Sequence, residues 1–116
     1  MKYMLLVYLD ERWEQRSLVE RQRLYTEQLA RTKELGDRYL GGSPLHPPSS
    51  ATTVRVRDGK PLLTDGPFAE TREHLGGYML IDVTDLDEAI AFAARGPLSH
   101  VATIEVRPVR EGPPAT

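Results

Sequence analysis

Tyr3-Met4-Leu5-Leu6-Val7-Tyr8-Leu9 is apolar at every position, and Gly77-Tyr78-Met79-Leu80-Ile81-Asp82-Val83 is nearly so. Successive side chains of a strand point to opposite faces, so Tyr3, Leu5 and Val7 take one side and Met4, Leu6 and Tyr8 the other. A strand that is apolar on both sides is one that must be covered from both sides. The segments around these two strands decide what can do the covering.

After Asp10, a turn around Trp13 leads to Ser17-Leu18-Val19-Glu20, which has the form of a capping box. The spacing predicts a helix from Leu18 to Leu35, with Leu18, Leu24, Tyr25, Leu29 and Leu35 on its core-facing stripe and Gly36 at the left-handed position past its end. Arg38 to Gly42 reads as a short strand, followed by an irregular loop from Ser43 to Ser50. Ala51 to Arg57 alternates, turns at Asp58-Gly59 and returns through Pro61 to Thr64, the pattern of a β-hairpin. Thr84 is placed to cap a second helix whose apolar face is Leu86, Ala89, Ile90 and Ala93; Gly96-Pro97 stops it, and Val101 to Val106 is a last strand.

The order is β-α-β-(ββ)-β-α-β. It predicts an α+β fold, a ferredoxin-like split βαβ carrying an inserted β-hairpin, within a single domain over 1–108 and a tail over 109–116. Both helices then lie on one face of the sheet. A second copy is the simplest cover for the other face, so a homodimer forming an α/β barrel is expected, with any functional cavity inside or at the rim of that barrel. The competing arrangement has the inserted hairpin folding over the bare face of a monomer.

The 116 residues are 40% hydrophobic and 28% charged, which fits a globular domain rather than a disordered chain. Formal net charge is −2 and the cations are scattered, so nucleic acid is not expected as a partner. With no cysteine the chain has no disulfides, no thiol chemistry and no thiolate metal site. The apolar run at Tyr3–Leu9 is too short for a signal sequence, and no stretch approaches the roughly 20 apolar residues that cross a bilayer. A cytoplasmic protein without a membrane partner is expected.

Candidate chemistry centres on Asp65 and His74 as the catalytic pair. Asp65 stands at a strand end before Gly66-Pro67, where a carboxylate can be aimed into a cleft as a general base, or can simply cap its own turn. His74 follows Glu70, Arg72 and Glu73, a setting suited to a proton carrier; a solvated histidine at a strand entrance is the plainer reading. Substrate-binding candidates are Arg72 and Glu70, His46 in the Pro-rich loop, and Arg21, which can clamp a carboxylate or snorkel its charge outward. Gln28 and Thr32 share the helix arc of Arg21 and are also placed to line a cleft. Arg55 and Arg57 share one hairpin face, suited to an anion or to pairing across subunits with Glu105 or Glu70. His46, His74 and His100 lack metal-ligand spacing, and neither a GxGxxG turn nor a P-loop is present, so no metal and no cofactor are expected.

Asp65-Gly66-Pro67-Phe68-Ala69-Glu70-Thr71-Arg72-Glu73 with Leu75-Gly76-Gly77-Tyr78 resembles the DGPF-domain branch of the YCII-related family. The likeness extends through Met1-Lys2-Tyr3-Met4-Leu5-Leu6, Ala51-Thr52-Thr53-Val54-Arg55, Leu86-Asp87-Glu88-Ala89 and Glu105-Val106-Arg107-Pro108. The resemblance implies a ferredoxin-like dimeric α/β barrel. It also implies small-molecule chemistry, hydrolytic dehalogenation included, with a His/Asp pair in the cleft of some wider relatives. Those relatives carry the histidine on the first helix, whereas this chain has none before His46. Tyr25 or Thr26 stands near the matching place, and Tyr25 joins the substrate-binding candidates. DGPF relatives are encoded beside sigma factors, which implies a second reading as a non-catalytic regulatory or interaction module associated with transcription. The first reading is a small-molecule binder or enzyme with acid/base chemistry in a cleft of the dimeric barrel.

Overall fold

The computed structural model describes residues 1–113. Six strands and three helices run in the order β1 (Lys2–Leu9), α1 (Glu11–Glu14), α2 (Leu18–Thr32), β2 (Tyr39–Pro44), β3 (Thr52–Arg57), β4 (Lys60–Asp65), β5 (His74–Asp82), α3 (Leu86–Arg95) and β6 (Ala102–Pro108). The main sheet is antiparallel with strand order β2-β5-β1-β6, and β3 and β4 form a separate two-stranded sheet. This is an α+β fold of antiparallel sheets, consistent with the ferredoxin-like arrangement. The predicted tail begins at 109; its positions 114–116 lie outside the described residues.

The core forms on the helix side of the sheet. Tyr3, Leu5 and Val7 of β1 and Met79 and Ile81 of β5 meet Leu24 of α2 and Ala89 and Phe92 of α3, all buried. Ser17 caps α2 by accepting the amide of Glu20 at 3.1 Å, but the Glu20 carboxylate turns away from the cap and accepts from Arg16 at 2.8 Å. Only half of the expected capping box is therefore closed. The helix also ends earlier than its spacing predicts. It stops at Thr32 and tightens into a 3-10 turn over Lys33–Arg38, within which Gly36 takes φ +55.

Both helices are rotated relative to the stripes their sequences suggest. Leu18, Leu29, Leu86 and Ile90 are exposed, while Gln28 and Phe92 point inward. On α3 the cap is Asp85 rather than Thr84: Asp85 accepts from the Glu88 amide at 2.9 Å, and the Glu88 carboxylate accepts from the Thr84 amide at 2.9 Å. The turn around Trp13 is a single helical turn, capped by Asp10.

The other face of the sheet carries Met4, Leu6 and Tyr8, flanked by Tyr78 and Leu80 on β5 and by the ion-paired Glu105 and Arg107 on β6. The hairpin does not cover it. Asp58 and Gly59 both take positive φ, as a tight hairpin turn requires, and β3 and β4 pair only with each other. They extend as an arm from the end of β2. The chain's radius of gyration is 16.2 Å, against about 13.4 Å for a compact domain of this length.

Two bulges shape the sheet. Gly76 is the extra residue where β5 shifts register against β1, and Leu40 is the extra residue where β2 shifts against β5, beside Gly41 at φ +142.

Replacing Phe92, 1% exposed between α3 and the sheet, with alanine is expected to cost about 3–5 kcal/mol of unfolding free energy. Ser17→Ala is expected to cost about 1 kcal/mol. Urea denaturation followed by circular dichroism measures both.

Candidate functional site

A half-open cleft of about 80 Å³ lies where α2 crosses the end of the main sheet. Val7 and Leu9 of β1 form its apolar back wall, with Leu29 of α2 and Leu98 beside them. Tyr25, Gln28 and Thr32 face it from successive turns of α2, the spacing that puts side chains on one helix face. Tyr39 enters from β2, Ser43 and Tyr78 border the cleft from strand positions whose register is that of the opposite sheet face, and Trp13 of α1 stands at one end. None of the lining residues is an Asp, Glu, Lys, Arg or His.

The close approach of β2 to β5 that closes this cleft depends on glycine. A Cβ on Gly42 would lie 2.4 Å from the Tyr78 carbonyl oxygen and 2.5 Å from the Tyr39 hydroxyl. The Tyr39 ring can lie over β2 only because position 42 has no side chain. Burial, reinforced by the neighbouring Tyr25 and Tyr78, pushes the Tyr39 hydroxyl above the ordinary tyrosine range. It stays protonated at neutral pH and can donate a hydrogen bond.

Gln28 is the one buried polar residue of the core, 6% exposed. Its Nε2 donates to the Met79 sulfur at 3.5 Å, and its Oε1, lying against Gly96, has no hydrogen-bond partner among the described residues. A buried amide left half-satisfied costs roughly 1–3 kcal/mol. Rotation about its last torsion would present either end of the carboxamide to the cleft. The Thr32 hydroxyl donates to the Leu29 carbonyl and that of Ser43 to the Pro44 carbonyl, which leaves both oxygens free to accept.

Of the residues singled out from sequence as site candidates, Tyr25 lines the cleft, as do Gln28 and Thr32 of the same helix arc. Asp65 ends β4 in the arm, opposite Thr52, exposed and without a side-chain hydrogen bond among the described residues. Glu70 and Arg72 are exposed on the loop before β5, and His46 is exposed on the loop after β2. Arg21 is partly buried on α2, its Nε unpartnered. His74 begins β5 directly opposite Leu9, so it shares the sheet face of the cleft wall without lining the cleft.

Asp10, and not Asp65, lies near enough to His74 for their charges to interact. Asp10 accepts from Arg12 Nε at 3.0 and 3.1 Å and from the Arg12 amide at 2.9 Å. Arg12 also reaches Thr103, which donates to Glu73 at 2.8 Å. Chiefly through the Arg12 side-chain bond, then the Arg12 amide, with a smaller contribution from His74, the Asp10 carboxyl is held below the ordinary aspartate range. Trp13, Tyr39 and Asp10 carried no local motif. They come together only through the sheet order, and the sequence signals for the cleft were the polar arc of Gln28 and Thr32 and the place of Tyr25 in the family resemblance.

The family model of the YCII-related domain matches residues 1–112. An uncharacterized protein of Rhizobium meliloti (strain 1021) is 45% identical over 67 residues, 56% of this chain, and the match spans about half of that relative's length, 54%. Among solved structures, the 5-chloro-2-hydroxyhydroquinone dehydrochlorinase from Burkholderia phenoliruptrix AC1100, in complex with 2,5-dihydroxybenzoquinone, superposes with a TM-score of 0.59 at 16% identity, over 97% of this chain and 96% of that one. At that identity the likeness is one of fold.

Gly42→Ala is expected to push β2 from β5 and lower stability by about 1–3 kcal/mol, with the Tyr39 ring resonances shifting in an NMR spectrum. Ionised Asp10 stabilises the fold above the ordinary aspartate range, and this contribution is lost as pH falls through its lowered pKa. Arg12→Gln is expected to bring the Asp10 titration, followed by carboxyl carbon shifts, back up towards the ordinary range.

Proposed function

The chain belongs to the YCII-related domain family, and on that premise we propose that it is a small-molecule-binding protein whose site is the tyrosine-lined cleft, taking an uncharged ring compound. The observation that carries this reading is the composition of the wall: tyrosine, tryptophan and aliphatic side chains with hydroxyl and amide groups, and no charge. Such a wall favours a flat apolar body with one or two hydrogen-bonding substituents. An ionised ligand would lose its hydration there without meeting a counter-ion. That a protein of the same fold was solved with a quinone supports a ring-shaped ligand.

Acid–base chemistry at this cleft is a second reading, favoured by His74 sharing the sheet face of Leu9 with Asp10 beside it. In that reading His74 carries the proton and Asp65 is an anchor brought by the arm. Arg21, His46, Glu70 and Arg72 belong to its rim. The segment Asp65-Gly66-Pro67-Phe68 with Gly76-Gly77-Tyr78 supports the DGPF branch of the family. The half-buried sheet face of Met4, Leu6 and Tyr8, opposite the helices, supports a homodimer, two ferredoxin-like sheets meeting as an α/β barrel, each formed by the domain over 1–108; the absence of cysteine supports the cytoplasm as its place.

Trp13 is the chain's single tryptophan and lines the cleft, so its fluorescence reports occupancy directly. Phenol and benzamide are expected to quench it saturably at neutral pH, with benzoate at least about tenfold weaker. Gln28→Leu is expected to weaken benzamide about fivefold. Equal affinity for benzoate would remove the neutral-ligand reading, and a Trp13 signal indifferent to all three compounds would remove the site.

A further inference from the structure

The arm has two unlike faces. Directly opposed residues of an antiparallel pair share a side, so Val54 with Leu63 and Val56 with Pro61 form one face, and Arg55 with Leu62 and Arg57 with Lys60 form the other. Beyond Thr52 and Asp65 at its base the first face is aliphatic, yet Val54 is 58%, Val56 67% and Leu63 68% exposed. Isolated two-stranded hairpins are marginal in water. Among the described residues, the hydrogen bonds at the base of this one are those from the Gly66 amide to the Ala51 carbonyl at 2.7 Å and from the Thr53 hydroxyl to the Gly66 carbonyl at 2.8 Å.

We propose that the aliphatic face of the β3–β4 arm is a clamp that docks on a second copy of this chain, reciprocally across a two-fold axis. The inference rests on the homodimer reading and adds the element that fastens it. Surface area selects the occupant. The chain exposes 8266 Å², whereas a monomer of this mass exposes about 6,400 Å². At about 60–120 Å² for each aliphatic side chain and the exposure these carry, the face offers roughly 150–300 Å². Two such arms, with the surface they cover, remove about 600–1,200 Å², to which the uncovered face of the main sheet adds to reach the range of a stable interface. The same association brings a second copy to the bare face of the main sheet, so one partner covers both apolar surfaces. The Arg55, Arg57 and Lys60 face is then left towards water, where its charges are solvated.

Multi-angle light scattering and sedimentation of the whole chain test this. The wild type is expected to be dimeric at about 10 μM. The double variant Val54→Ser, Leu63→Ser is expected to raise the dimer dissociation constant by about 100-fold or more, with an unchanged circular dichroism spectrum because the arm lies outside the core. Arg55→Ser, Arg57→Ser on the opposite face is expected to leave dimerisation unchanged. If the Val54/Leu63 variant dimerises like the wild type while Leu6→Lys on the bare sheet face dissociates, the clamp is overturned and the homodimer stands. A wild type that stays monomeric at about 100 μM overturns both, leaving the arm to a different partner.

Discussion

A layer of helices on one side of a sheet whose central strand is apolar on both sides is the constraint from which the rest follows. Leu5 and Ile81 are fully buried beneath the helices, while Met4, Leu6 and Tyr8, on the opposite side of the pleat, are only half-buried. Burial at about 25 cal/mol per Å² rewards covering such a surface. Among the described residues no helix lies on that side, and the inserted hairpin pairs only with itself. The surface left over is of the size that association between copies removes.

The same geometry sets the character of the cleft. Polar groups enter it as side chains on elements that are already fixed by the core: tyrosines from α2 and β2, and an amide from α2. The charged network of Asp10, Arg12, Glu73 and Thr103 is kept to the sheet end next to it, where water screens the ions. The cleft thus supplies dipoles and aromatic faces, and any ionised acid–base group has to act from its edge. His74 is the one histidine whose strand register puts it on that side.

The strands, the hairpin and its turn were legible because their signals are local: alternation, an Asp58-Gly59 pair, a doubly apolar run. Helix rotation was not. A stripe drawn through Leu18 and Leu29 weights side chains by hydrophobicity, whereas α2 settles with Leu24 and Gln28 inward, where Met79 of the sheet meets the amide. At α3, Thr84 and Asp85 are both good caps, and only the chain path selects the second. The cleft itself was half legible. Its α2 side appeared as polar residues inside an apolar arc, but Trp13, Tyr39 and Tyr78 come from three separate elements and are neighbours only after β5 has taken its place between β2 and β1. Asp65 carried a turn signature that does not distinguish a functional carboxylate from a connector, and the fold puts it at the base of the arm.

The bulge at Leu40 has a bearing on how such molecules avoid forming fibrils. With an extra residue at Leu40, an unusual backbone at Gly41 and a proline at its last position, β2 offers an incoming strand a broken ladder. The opposite border, β6, likewise ends in Pro108. Sideways growth by strand addition is thereby discouraged at both borders, so the greasy broad side of the sheet can stay available for a finite, closed assembly without seeding an open-ended one.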